Sequence, residues 1–128
     1  MKFIDRITID LPNKSAEAKY FVRSDAEFLA DHFPNTPMRP GLVMLEIAVQ
    51  TAAAWLTENL NGQAKASFDL NSLERLYVTR RVTPNETLVV QVLISELAPG
   101  GESACCEARA KVAGENAMRA KFHLRSWA

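Results

Sequence analysis

A run of helix-forming residues after a proline-rich segment dominates the sequence. After Pro40 and Gly41, the segment LVMLEIAVQTAAAWLTENLNG consists mostly of good helix formers over about five turns. It ends in Asn-Gly, a pair that is typical of a helix C-terminus. The helix would be apolar on nearly every side, which predicts that it is enclosed. Its nearly apolar stretch, residues 41–56, is interrupted by Glu46 and Gln50 and is too short to span a bilayer.

The sequence on both sides of this helix is typical of β-strands. Upstream, residues 3–11 alternate between polar and apolar side chains, and residues 16–23 end in aromatic and β-branched residues, with a turn at 12–15 between them. Downstream strands are predicted at 68–82, 87–97, 102–112 and 117–127, with turns at 84–85, 99–101 and 114–116. The short turns favour an antiparallel meander. One enclosed helix with about five or six antiparallel strands is an α+β domain.

Composition restricts the class of protein further. A chain of 128 residues, 48% of them hydrophobic, has the size of a single domain. Fifteen basic and fifteen acidic residues cancel, which argues against nucleic acid or an anionic membrane as a partner. The start does not resemble a secretory signal, and the adjacent Cys105 and Cys106 are poorly placed to pair with each other, so we expect reduced thiols in the cytoplasm.

The helix also carries an expectation about assembly. A helix this apolar exceeds what one small sheet can cover, and a second copy is the simplest cover, which predicts a dimer. Neither zinc-ligand spacing nor a glycine-rich phosphate loop occurs in the sequence, so no metal or other cofactor is expected.

Residues 31–50, DHFPNTPMRPGLVMLEIAVQ, are the most informative about function. They resemble the signature of the β-hydroxyacyl-acyl-carrier-protein dehydratases of the FabZ type, in which His-Phe-Pro precedes Pro-Gly and a helix that bears Glu. The family's functional His, the Gly nine positions later and the Glu fourteen positions later fall on His32, Gly41 and Glu46. The downstream strands resemble the family more weakly.

The resemblance implies a fold, a reaction and an assembly. The fold would be a hot-dog fold, with the sheet wrapped around one central helix. The reaction would convert a (3R)-3-hydroxyacyl group on acyl carrier protein, with acyl-CoA as a surrogate, into the trans-2-enoyl thioester. The assembly would be a homodimer, or a trimer of dimers, in which the His and the Glu of each site come from two subunits.

The chemistry of elimination explains why these residue types are suitable. The reaction needs a base for the C2 proton, an acid for the departing hydroxyl and a group that stabilises charge on the thioester oxygen. His32 can act as the base near neutral pH, and a desolvated Glu46 would have a raised pKa and serve as the acid. Gly41 would offer backbone N–H groups at the start of the helix, and Gln50, four residues after Glu46, could hydrogen-bond the carboxyl group.

Further residues are candidates for supporting roles. Arg80 and Arg81 are candidates for docking an acidic carrier protein. The alternative is that they are solvated surface charges that bind no other protein. Three residues depart from the family pattern: Asp31 stands where a glycine usually precedes the His, Asn35 stands where a glycine usually follows it, and Arg39 replaces an apolar residue before Pro-Gly. Candidates for the acyl tunnel or its entrance are Phe33, Met38, Arg39, Pro40, Val43 and Met44.

Two alternatives to a dehydratase remain open. A hot-dog thioesterase would use Glu46 to activate water or attack the thioester, and it would release a free thiol. A noncatalytic homologue would retain the acyl-binding tunnel but have lost activity through the substitutions around His32. Structural roles, such as a loop histidine or a carboxylate paired with arginine, compete with each assignment.

Overall fold

The computed structural model describes residues 6–22, 40–60, 67–80, 82 and 85–127. The described residues form one helix and six strands. In chain order these are β1 (Arg6–Asp10), β2 (Ser15–Phe21), α1 (Pro40–Asn59), β3 (Ser67–Val78), β4 (Thr87–Leu97), β5 (Ser103–Val112) and β6 (Glu115–Trp127). This arrangement confirms the predicted α+β fold, and the bounds of β4 agree with the prediction at both ends.

The six strands form one sheet in the order β1-β2-β4-β5-β6-β3, with antiparallel pairing throughout. The predicted meander is right for β4, β5 and β6 but wrong for β3. This strand pairs with β6 at the edge of the sheet. The chain then returns to the interior of the sheet, where β4 lies between β2 and β5. Helix α1 contacts all six strands, and the sheet therefore wraps around it.

The turn between β5 and β6 differs from the prediction. It consists of Ala113 and Gly114, both with positive φ, of 51° and 79°. Two successive positive φ values are the geometry of a tight two-residue hairpin turn, which glycine adopts without strain. Glu115 and Asn116, predicted to be in the turn, instead open β6 opposite Val112 and Lys111.

One face of α1 packs against the sheet and forms most of the core. Its fully or nearly fully buried residues recur at helical spacing and are Val43, Met44, Leu45, Ile47, Ala48, Thr51, Ala52, Trp55 and Leu56. The uncovered side is narrower and holds exposed or half-buried residues, Glu46, Val49, Gln50, Ala53 and Thr57. One sheet thus covers more of the helix than we expected, because it curves around it. The helix's apolar composition is therefore no argument for a dimer.

Trp55 joins the helix to the beginning of the chain. Its side chain is 1% exposed, and its Nε1 donates a hydrogen bond to the backbone carbonyl of Asp10 over 3.1 Å. Asp10 is the last residue of β1, so this bond fixes the position of α1 along the sheet. Among the described residues, no helix has the length and apolarity needed to cross a membrane.

Both cysteines are free and buried. Burial, and secondarily the neighbouring thiol of Cys105, raises the pKa of Cys106 to about 12. A buried thiol with so high a pKa is a packing residue and not a nucleophile.

Candidate active site on the open side of the helix

Glu46 lies on the side of α1 that the sheet leaves uncovered. It follows the first turn and a half of the helix, between the buried residues Leu45 and Ile47. Its side chain is exposed in the single chain. The desolvation that we expected for this carboxyl group is therefore not supplied by the fold of one protomer.

Gln50 contacts Glu46 as its spacing predicts. The Nε2 of Gln50 donates a hydrogen bond to the Oε1 of Glu46 over 3.2 Å, one helical turn away. Gln50 is half-buried, so its position is more restricted than that of a free surface side chain. The bond leaves the second carboxyl oxygen, Oε2, available to a substrate and limits the rotation of the group.

The beginning of the helix agrees with the expectation for Gly41. The helix begins at Pro40, so that Gly41 lies in its first turn. Proline is favoured at this position because the first N–H groups of a helix have no partner within it. The backbone N–H groups that follow, and the positive end of the helix dipole, lie on the same helix as Glu46, one to two turns before it.

Two tunnel candidates belong to the core. Val43 is nearly fully buried and Met44 is fully buried, both beneath the sheet. His32, the candidate base, lies outside the described residues. The other candidates outside them are Asp31, Phe33, Met38, Arg39 and Arg81, and the side chain of Pro40 is likewise not described.

Arg80, a candidate for carrier docking, is held by two carboxylates. Its Nη1 and Nη2 donate to the two carboxyl oxygens of Glu86 over 3.1 and 2.7 Å, and its Nε lies 3.2 Å from Glu115. The hydrogen bonds to Glu86, more than the charge of that carboxylate, raise the pKa of Arg80. These contacts join the end of β3 to the starts of β4 and β6, which gives Arg80 a structural role that the sequence did not indicate.

A groove on the outer face of the sheet was not predicted from the sequence. This groove has a volume of about 510 Å³ and is lined by residues of all six strands, among them Arg75, Arg109, Arg119 and Lys121. Alternating charged and small residues in β5 and β6 were the available signal, but only the strand register brings these cations together. Within the described ranges, no cluster of three or more His, Cys, Asp or Glu residues is placed to hold a metal ion.

Solved structures with similar backbones establish the class of fold. The dehydratase heterocomplex ApeI:P from Xenorhabdus doucetiae matches with a TM-score of 0.77 at 12% identity, over 99% of this chain and 84% of that one. A mutant of the fluoroacetyl-CoA-specific thioesterase FlK matches with a TM-score of 0.71 at 10% identity, over 90% and 86%. Identities this low show a shared fold alone, and that fold is the hot-dog fold.

Sequence comparison narrows the class to a family. The model of the FabA-like domain matches residues 1–121. The 3-hydroxyacyl-[acyl-carrier-protein] dehydratase FabZ of Cereibacter sphaeroides is 31% identical over 120 residues, which are 93% of this chain and 76% of that protein. FabZ of a Wolbachia from Drosophila simulans is 30% identical over 97 residues, or 76% and 67%. The chain therefore belongs to the FabA-like family, with the FabZ dehydratases among its relatives, as the resemblance around His32 implied.

Proposed function

We propose that this protein is a hydro-lyase that removes water from a (3R)-3-hydroxyacyl thioester on acyl carrier protein and yields the trans-2-enoyl thioester. The pathway would be the synthesis of fatty acids or of related acyl chains. The observation that carries the proposal is the match to FabZ dehydratases over 93% of the chain. A carboxyl group at the family's position, held by Gln50 on the open side of α1, supports it.

The roles of the residues follow from the chemistry. His32 takes the C2 proton, and the electrons of that C–H bond move towards the thioester carbonyl, whose oxygen gains negative charge. Backbone N–H groups near Gly41 stabilise this charge at the start of the helix. The electrons then form the C2–C3 double bond, the C3–O bond breaks, and Glu46 donates its proton so that the hydroxyl leaves as water.

A second protomer would complete the site. Glu46 is exposed in the single chain, and a general acid needs a less polar environment to keep its proton near neutral pH. The edge strand β3 offers a surface for such a partner, because it exposes Leu70, Leu73 and Val78 beside a backbone edge that pairs with no described strand. The proposed assembly is a homodimer, or a trimer of dimers, in which His32 of one protomer meets Glu46 of the other.

The substrate carrier and the location in the cell are part of the proposal. The carrier protein presents the acyl chain, and an acyl-CoA substitutes for it in an assay. The neighbouring Arg80 and Arg81 remain candidates for carrier docking, although Arg80 would have to act from within its contacts with Glu86 and Glu115. The two free thiols, Cys105 and Cys106, support the proposed location in the cytoplasm, because disulfides are rare there.

An assay with a 3-hydroxyacyl thioester tests the proposed reaction against its alternatives. Wild-type protein should produce the conjugated enoyl thioester, seen by its absorbance, without releasing a thiol. Glu46→Gln keeps the size of the side chain but has no acidic proton, and it should lower kcat by at least about 100-fold. Thr57→Ala, three turns away on the same side of the helix, is the control and should retain activity.

The alternatives give different readouts in the same assay. A thioesterase is the first alternative, because the fold is shared with thioesterases such as FlK. It would release free thiol at a rate that depends on Glu46. A noncatalytic homologue would bind the thioester and give neither product. Either result with a folded protein would overturn the proposal.

A further inference from the structure

The outer-face groove carries positive charge on three neighbouring strands, β5, β6 and β3. Arg109 of β5 stands directly opposite Arg119 of β6, and on the next row Lys121 of β6 stands opposite Arg75 of β3. All four side chains line the groove. They alternate with buried residues such as Ala108 and Ala120, so they lie on the face of the sheet away from α1. The groove is thus separate from the proposed dehydration site.

The two opposed pairs are unfavourable on their own. Like charges directly opposite each other on neighbouring strands destabilise a sheet. Lys121 is partly compensated by Glu74, whose Oε2 lies 3.6 Å from its Nζ. Arg75, Arg109 and Arg119 form no ion pair with any residue that the structure describes. Three guanidinium groups in one concavity therefore lack a counterion from the described part of the chain.

The carboxylates of the groove lie mostly at its other end. Asp10 and Glu17 belong to β1 and β2, where Asp10 accepts hydrogen bonds from Asn13 and Glu17 accepts one from Gln91. Among the described lining residues, Glu107 of β5 is the only carboxylate on the three strands that carry the cations, and it stands opposite Lys121. The end of the groove formed by β5, β6 and β3 therefore keeps an excess of positive charge.

We infer that this basic end binds a ligand with two adjacent phosphate groups, such as the diphosphate of a nucleotide. Planar guanidinium groups bind phosphate oxygens in pairs, and two arginines side by side match two linked phosphates. A volume of about 510 Å³ is in the range of small-molecule sites. Tyr77 stands opposite Arg119 and is 56% exposed, so its ring offers a surface on which a base can stack beside the phosphates.

Isothermal titration of the 128-residue protein with inorganic pyrophosphate and with ADP, at matched ionic strength, tests the inference. Both should bind saturably with a Kd below about 1 mM, and ADP should bind more tightly because Tyr77 stacks on its base. Arg119→Gln should weaken both ligands by about tenfold or more, since a charged hydrogen-bonding group is lost. Tyr77→Ala should weaken ADP alone.

Matched controls separate binding at this site from general charge effects. Arg6→Gln removes the same charge from the same face of the sheet, one row beyond the groove, and should leave both affinities within about twofold. Arg119→Gln without ligand should melt no earlier than wild type, because one like-charged pair is gone. Dehydratase activity of Arg119→Gln reports separately on the proposed function and should not change.

Three results would overturn the inference. The first is the absence of saturable pyrophosphate binding by wild-type protein, and the second is an equal loss of affinity in Arg6→Gln and Arg119→Gln. The third is concentration-dependent self-association that Arg119→Gln abolishes, seen by analytical ultracentrifugation. That result would assign the groove to a second copy of the chain instead of a phosphate ligand.

Discussion

Replacing Trp55 by phenylalanine should lower the free energy of unfolding by about 2 kcal/mol. The indole is 1% exposed, and the smaller ring would leave a cavity of roughly 40 Å³, worth about 1 kcal/mol at about 24 cal/mol per Å³. The lost hydrogen bond to the Asp10 carbonyl adds about 1 kcal/mol. For a domain of this size, the expected fall in Tm is roughly 8 °C.

Urea unfolding followed by circular dichroism measures this effect, with the slope m compared between variants. Thr57→Ala is the control, because Thr57 is exposed two residues along the same helix and its hydroxyl donates a hydrogen bond to the carbonyl of Ala53 in that helix. Its effect should stay within about 0.5 kcal/mol. A Trp55→Phe variant as stable as the control would refute the argument that this contact fixes the helix on the sheet.

The remaining predictions concern the candidate site, the thiols and acid stability. Gln50→Leu keeps the bulk of the side chain but removes the donor to Glu46, and kcat should fall by about tenfold with little change in KM; an unchanged kcat would contradict the supporting role. With a pKa of about 12, Cys106 is ionised to about one part in ten thousand at pH 8, so native protein should leave it unmodified by a thiol reagent that labels it after unfolding. A hydrogen bond from His123 holds the pKa of Glu74 below its usual 4.5. A carboxyl group whose pKa is lower in the folded state stabilises the fold at pH values above its unfolded-state pKa, and this stabilisation is lost as the pH falls through the folded-state pKa. Wild-type and Glu74→Gln proteins should therefore converge in Tm between about pH 5 and pH 3, and a gap that widens on acidification would be inconsistent with this.

Local sequence patterns were sufficient to predict the helix and the strands, but not the order of the strands in the sheet. The bounds of β4 and the start of α1 follow from periodicity and from Pro40-Gly41, which act over a few residues. The pairing of β3 with β6 could not be predicted from such local patterns, because it depends on contacts between residues that are far apart in sequence, such as Leu76 and Ala120. Nothing local to β3 distinguishes this neighbour from β4.

The residues that line the outer-face groove could not be predicted from the sequence, because they depend on the register between β5 and β6. The turn at Ala113 and Gly114 pairs Val112 with Glu115, but an irregularity after Ala110 shifts the ladder by one residue. That shift is what places Arg109 opposite Arg119. A one-residue change of register alters every cross-strand pair, and no pattern in either strand alone reports it.

One contact of the candidate site was predictable from the sequence, but the environment of that contact was not. The Glu46 to Gln50 contact follows from helical spacing and is present. The expected burial of Glu46 is absent from the single chain, since it depends on what covers the open side of α1. Burial by another protomer is a property of an assembly, which the sequence pattern of one helix does not specify.

The central claim is that His32 of one protomer and Glu46 of another form each active site, and mixing two inactive variants tests it most directly. His32→Ala and Glu46→Gln proteins are unfolded together, refolded and assayed for dehydration, with each variant refolded alone as the control. Random pairing makes about half of the dimers mixed, and each mixed dimer holds one site with both residues intact, so activity should return to about a quarter of the wild-type value. Mixed dimers that form but remain inactive would contradict the claim, because sites built within one protomer would each lack one of the two residues.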